Sequence, residues 1–212
     1  MLKYDLHTHT CYSKCSNLKP ELLLKTAKEK GLNGIAVTDH NTIEGALRIN
    51  KLNKDKNFEV IVGEEISTIQ GEVLAYYLQS PIKSNDFFKV VEEVKKQNGL
   101  IIIPHPFRTS INPYHKFKLP LDEIKNRIDA VECFNARMLP GNNNKADKMS
   151  NKLNVAKTAG SDAHFKFEVA AAYTLFEDNL RKALKNRKTK VDGTILYGPF
   201  GGLLSFFRTR IF

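Results

Sequence analysis

Asp5-Leu6-His7-Thr8-His9-Thr10, the stretch DLHTHT, closes a short apolar run that begins at Leu2. Side chains alternate along a strand, so a strand here aims both imidazoles in one direction, as a bidentate metal grip requires. The same kind of ending recurs down the chain. VTDH closes at His40, VGEEIS carries Glu64 and Glu65, IIIPHP carries His105, and AGSDAH carries Asp162 and His164. Each group of polar residues follows a short β-like run, and helical periodicity separates one run from the next.

The runs predict inner strands over residues 4–7, 34–38, 59–65, 100–104, 130–134 and 155–160, with another over 172–176. Helices are expected over 21–30, 42–53, 85–97, 144–153 and 179–186, with Pro20 in a first turn, Gly31 as a stop and Ser84 as a cap. Residues 66–78, with Gly71 near the centre, read as an antiparallel hairpin inserted into this rhythm, its outward faces partly wet. Alternating βα units in this number favour a closed barrel of about seven units over an open sheet. The fold class is therefore α/β, with residues 1–190 as the barrel domain. Residues 191–212 change character, with four glycines followed by LLSFFRTRIF. A docked helix or a plug at the barrel bottom is favoured for this tail over a membrane-surface, dimer-forming or partner-binding segment.

A chain of 212 residues with 42% hydrophobic and 26% charged residues excludes disordered, collagen-like and solenoid architectures. No apolar run is long enough to cross a bilayer and MLKYDLHTHT lacks a signal-peptide core, so a cytoplasmic protein without membrane insertion is expected. Three cysteines, Cys11, Cys15 and Cys133, are read as free thiols of a reducing compartment. The formal charge of +10 favours anionic partners, phosphate esters or nucleic acid, with a solubilising lysine surface as the alternative.

Only six histidines occur, and five of them follow or end a predicted strand beside a carboxylate. One strand-end histidine alone is an ordinary surface or hydrogen-bonded residue. Five at equivalent positions converge on one mouth, and imidazole with carboxylate suits Zn, Mn or Fe at a catalytic site with open positions. His115 stands apart in a loop and is expected to be solvated. Asp39 either orients a neighbouring imidazole or caps the following helix, and with Asp162 it is a candidate catalytic carboxylate. Arg108 in PHPFR and Arg137 in FNAR are two of only eight arginines among 33 basic residues, and both are expected to grip a substrate phosphate with their guanidinium forks. Neither a G-x-S-x-G elbow nor a phosphate-cradling P-loop occurs.

DLHTHT, VTDHN, GEEIS, PHP and GSDAH, in this order, resemble the motifs of the PHP (polymerase and histidinol phosphatase) phosphoesterases over about residues 2–176. The resemblance implies a distorted, TIM-like (β/α)7 barrel with two or three divalent metals. It implies a first metal on His7, His9, Glu65 and Asp162, with Glu65 bridging to a second on His105, and His40 with His164 serving a third. The G-x-E spacing selects Glu65 over Glu64. Two departures stand out: CYSKCS offers Cys15, as a soft ligand or a loop thiol, where relatives carry His or Asp, and ECFNARMLPGNNN offers Glu132, Asn135 or water where they carry His.

Two cations about 3.5–4 Å apart would deprotonate a bridging water, and that metal-bridged hydroxide would attack the phosphorus without a protein nucleophile. The expected activity is hydrolysis of a small phosphomonoester, a nucleotide or nucleoside bisphosphate first, with histidinol phosphate as an alternative. Two rivals belong to other classes: a non-catalytic RNA-binding scaffold, which the intact ligand set argues against, and a metal-dependent amide or ring hydrolase, which inorganic phosphate would not inhibit.

Overall fold

A computed structural model describes residues 1–109, 116–139 and 141–211. Nine strands among the described residues form one sheet in the order β7-β6-β5-β4-β3-β2-β1-β8-β9. The parallel strands are β1 (Leu2–Thr8), β2 (Gly34–Val37), β3 (Glu59–Thr68), β5 (Leu100–Ile103), β6 (Ala130–Asn135) and β7 (Ala156–Gly160). Strand β4 (Gly71–Tyr76) runs antiparallel between β3 and β5.

The sheet curls until its ends meet. Just past β7, the Asp162 amide donates to the His7 carbonyl at 2.8 Å and the His9 amide donates to Ala163 at 2.9 Å. This parallel bridge closes the barrel at the carboxyl ends of the strands. At the amino end β8 (Ala172–Phe176) wedges in, antiparallel to β1 and tied to β7 through the Thr174 hydroxyl, which donates to the Ala159 carbonyl at 3.1 Å. Closure therefore puts Asp162 and His164 beside His7 and His9, and the chemistry gathers at one mouth. The barrel interior below it is apolar, with Leu6, Ile61, Leu74, Tyr76, Ile102 and Phe176 packed together.

Helices cover the outside. α1 (Pro20–Glu29) and α2 (Glu44–Leu52) pack on β2 and β3 through Leu23, Ala27, Ala46 and Ile49. α3 (Phe87–Lys96) presents Phe87, Val90, Val91 and Val94 to the β3–β4–β5 face. A short α4 (Leu121–Ile124), then α5 (Asn142–Leu153) and α6 (Leu180–Lys185), complete the shell. No helix among the described residues is long and apolar enough to cross a membrane.

Several expectations are corrected here. The hairpin exposes Ile69 at its turn, but all six residues of β4 are buried, because α3 covers Val73 and Ala75 on one face and the barrel interior takes Leu74 and Tyr76 on the other. Asp86, not Ser84, caps α3, its carboxylate accepting the Phe88 and Lys89 amides at 3.1 Å. The 190/191 division runs through β9 (Thr189–Gly193), which pairs with β8. Beyond it α7 (Gly198–Ile211) lies at the mouth rather than the bottom, its Ser205 hydroxyl 3.2 Å from the Arg137 guanidinium. His115 and Pro140 lie outside the described residues.

Candidate metal centre at the barrel mouth

Glu65 is the focus of the mouth. Its Oε2 lies 3.4 Å from His7 Nε2, 3.3 Å from His9 Nε2 and 3.2 Å from His40 Nδ1, while its Oε1 lies 3.0 Å from His105 Nε2. Asp162 Oδ1 stands 3.3 Å from His9 Nε2 and 3.5 Å from His164 Nδ1. The structure thus brings together His7, His9, His40, Glu65, His105, Asp162 and His164. Glu64, one residue earlier and on the opposite face of β3, accepts the Ile82 amide at 3.0 Å.

Among the described residues, four overlapping groups have donor atoms within 4.8 Å of one another: His7, His9 and Glu65; His7, His105 and Asp162; His9, His40 and His164; and His40, Glu65 and Glu72. Glu72 is a member that the sequence reading missed. It belongs to the period-two series Glu72, Leu74, Tyr76, whose later members fill the barrel interior, so the same alternation aims Glu72 at the mouth.

The donor set fits divalent cations. His7 Nε2 and His9 Nε2 are 3.1 Å apart, and two nitrogens each about 2.0–2.1 Å from one cation lie about 3.0–3.4 Å from each other. The outer nitrogen of His7 is held by Glu132 Oε1 at 2.9 Å, the carboxylate support that orients ligating imidazoles. Four buried carboxylates, Glu65, Glu72, Glu132 and Asp162, crowd the mouth, with the half-buried Arg108 guanidinium beside them and the buried Arg137 guanidinium lining the same cavity. Burial opposes ionisation of Glu65 and Asp162. The imidazoles of His7 and His40 nevertheless hold Glu65 well below the ordinary carboxylate range, and Arg108 and His7 do the same for Asp162. Glu72 has the reverse balance, raised well above that range by burial and then by the Glu65 charge.

Two of these residues adopt left-handed backbone, His105 at φ +25° and Asp162 at φ +54°. Such positions cost about 1–3 kcal/mol each and persist only where the surroundings over-determine them. Here the His105 amide donates to Glu132 Oε2 at 2.9 Å and the Asp162 amide to the His7 carbonyl.

Asp39 makes neither contact expected of it. Its carboxylate accepts the Thr10 amide and hydroxyl at 2.7 and 2.6 Å and the Ser13 hydroxyl at 2.7 Å, which pins the loop after β1. Gly45 at the start of α2 lies against this cluster, where a Cβ would collide with Asp39 and Thr10. Among the described residues, Asp39 is linked to the imidazoles through Ser13, which accepts the His40 amide at 3.0 Å and stands 3.4 Å from His9 Nδ1. Arg137 is also placed differently from expectation. It is buried, forks onto Glu168 at 2.8 and 2.7 Å with Ser205 taking its remaining face, and lines the cavity at the mouth, so its fork is engaged in fastening α7 rather than open to a phosphate. Arg108 remains at the opening, its side chain 21% exposed, donating to Asp162 Oδ2 at 2.9 Å. Cys15 Sγ lies 3.0 Å from His164 Nε2, whose Nδ1 meets the Asp162 carbonyl at 2.8 Å. Glu132, open as a ligand in the sequence, instead holds the His7 ring and the His105 backbone, with Asn135 donating to it at 3.0 Å.

A cavity of about 700 Å³ opens over these groups, lined by His40, Glu72, Arg108, Asp162 and His164. The PHP domain model matches residues 5–180. An uncharacterised protein of Methanocaldococcus jannaschii is 39% identical over 146 residues, 64% of this chain and 82% of that protein. A 5'-3' exoribonuclease of Haemophilus influenzae is 41% identical over 66 residues, 31% of this chain and 24% of its own length. Among solved structures, a two-domain protein of Bacteroides vulgatus described as containing a predicted PHP-like metal-dependent phosphoesterase superposes with a TM-score of 0.78 at 19% identity, covering 91% of this chain and 65% of that one.

Proposed function

Because this chain belongs to the PHP domain family over residues 5–180, we propose that it is a metal-dependent phosphoesterase that hydrolyses the phosphomonoester of a nucleotide or nucleoside bisphosphate. One observation carries the reading: a buried carboxylate, Glu65, stands within 3.4 Å of four imidazoles, one of which, His40, lines an open cavity. His7, His9, His40, Glu65, His105, Asp162 and His164, with Glu72, would hold two or three divalent ions, Zn, Mn or Fe. Bound there, such ions neutralise charge developing on phosphoryl oxygens and supply an activated water at neutral pH.

The chain's own residues arrange the rest. Glu132 fixes the His7 ring through Nδ1, leaving Nε2 turned to Glu65. Arg108, tethered at Asp162 and half-buried at the opening, presents a guanidinium to an incoming phosphate while neutralising a ligand carboxylate. The Asp39–Ser13 link keeps the loop carrying the first motif from drifting away from the mouth. Burial pushes the Cys15 thiol up to about 12, which argues against a cysteine nucleophile. The +10 charge and the similarity to the Haemophilus influenzae exoribonuclease support nucleotides as the ester class.

The test is phosphate release from nucleoside bisphosphates, 5'-phosphorylated oligonucleotides and histidinol phosphate by protein loaded with Mn, Zn or Fe. The reading requires release that a chelator abolishes and that Glu65→Gln lacks. Absence of release from every ester with every metal would overturn it.

A further inference from the structure

The cavity over the metal centre has a wall that the metal chemistry does not use. Helix α7 turns Gly202, Ser205, Phe206 and Thr209 into the same cavity as His40, Asp162 and His164. These positions fall at i, i+3, i+4 and i+7, a single stripe of a 3.6-residue helix. Ser205 anchors the stripe on Arg137 at 3.2 Å, and Gly201 sits so close to the Glu168 carboxylate that a Cβ there would collide with it. The helix is therefore held at a set distance from the mouth. A Cβ on Gly202 would meet nothing within 4 Å, so space remains beside Phe206, the one large side chain of the stripe, which is 39% exposed.

The loop after β1 brings a second aromatic ring to the same cavity. Tyr12 is 43% exposed, and its amide donates to Thr10 Oγ1 at 3.3 Å. Its neighbour Ser13 is buried and bonded to Asp39 at 2.7 Å, so the loop carrying the ring is pinned from below. Exposed Lys14 adds a positive charge beside it. About 700 Å³ is far more than an inorganic phosphate needs and lies in the range of ligand-sized pockets.

We infer that Phe206 and Tyr12 form a nucleobase subsite, so that the C-terminal helix selects nucleoside phosphates over sugar or amino-alcohol phosphates. The inference rests on the phosphoesterase reading and deepens it: the metal centre and Arg108 take the phosphate, and the aromatic faces take the base. Aromatic faces stack on any base, so the subsite favours nucleotides as a class without choosing among bases. Stacking of one base contributes about 5- to 150-fold in affinity by the usual range of alanine substitutions.

Non-hydrolysable phosphonates isosteric with adenosine 5'-monophosphate and ribose 5-phosphate, titrated calorimetrically into the full metal-loaded chain, test it. The wild type is expected to bind the nucleotide analogue about tenfold or more tightly than the ribose analogue. That ratio should fall towards one in Phe206→Ala and Tyr12→Ala together and survive in Phe206→Tyr, which keeps a stacking face and controls for misfolding. A ratio near one in the wild type, or a ratio that survives both alanine substitutions, would overturn the subsite. Phosphate release from the parent esters is measured alongside. Release with a ratio near one removes the subsite alone, whereas a ratio that responds to both substitutions without release supports the subsite and removes the phosphoesterase reading.

Discussion

Replacing Arg137 by methionine separates a structural guanidinium from a substrate-binding one. Arg137 and Glu168 bury their side chains to 2% and 1% exposure and meet through two parallel bonds of 2.8 and 2.7 Å. Methionine retains much of the stem volume but leaves the Glu168 carboxylate buried without its cation. Breaking a buried pair from one side costs about 3–5 kcal/mol. The cost here should fall near the lower end, about 3 kcal/mol, because Glu168 Oε2 still accepts the His164 and Phe165 amides at 2.9 and 3.1 Å. For a domain of this size each kcal/mol moves the midpoint by about 2–4 °C, so the melting temperature should drop by about 6–12 °C. Adding Glu168→Gln removes the uncompensated charge while keeping an oxygen for those amides, and should recover about half of the loss. Thermal unfolding followed by circular dichroism reads both variants. An Arg137→Met protein with an unchanged midpoint and a raised KM for phosphate esters would refute the reasoning and restore Arg137 to the substrate.

Other consequences are open to direct measurement. Glu132→Ala frees the His7 ring and should weaken metal binding about 10- to 100-fold in competition with a chromogenic chelator; unchanged affinity would mean that Glu132 does not orient the ligand. Gly201→Ala drives a methyl group into the Glu168 carboxylate and should cost about 1–3 kcal/mol in urea denaturation, whereas an unchanged midpoint would contradict the docked position of α7. At pH 8 a thiol reagent should titrate exposed Cys11 in the native protein and all three cysteines in denaturant. Burial holds Cys15 and Cys133 up at about 12, so their thiolate fractions are small, and rapid labelling of Cys133 would refute its burial.

Much of the centre was legible because strand alternation and strand ends are local properties. His7-Thr8-His9 needed only the period of two, and His40, Glu65, His105 and Asp162 needed only the recurrence of a polar ending after an apolar run. What escaped depends on contacts between distant segments. Arg137 reads like a phosphate-gripping fork, but Glu168, 31 positions later, claims its guanidinium. Asp39 reads like a helix cap until Thr10 and Ser13 fold back onto it. Glu72 was hidden by treating the hairpin as an insertion, although β4 is a full member of the barrel wall and carries the alternation to the mouth. The tail was legible as a docked helix but not as a wall of the cavity, because its placement is set by the Arg137–Glu168 pair, itself invisible in the sequence.

The central claim, a multinuclear metal centre focused on Glu65, is tested most directly by the elemental metal content of the chain purified without chelator, beside Glu65→Gln and Glu64→Gln. Glu64 is adjacent and equally buried but faces Ile82, so it controls for the loss of a carboxylate in β3. The account predicts two or three equivalents of Zn, Mn or Fe in the wild type and in Glu64→Gln, and less than one in a folded Glu65→Gln. A Glu65→Gln protein that keeps the wild-type complement, or a wild type that binds none of these metals after incubation and desalting, would contradict it.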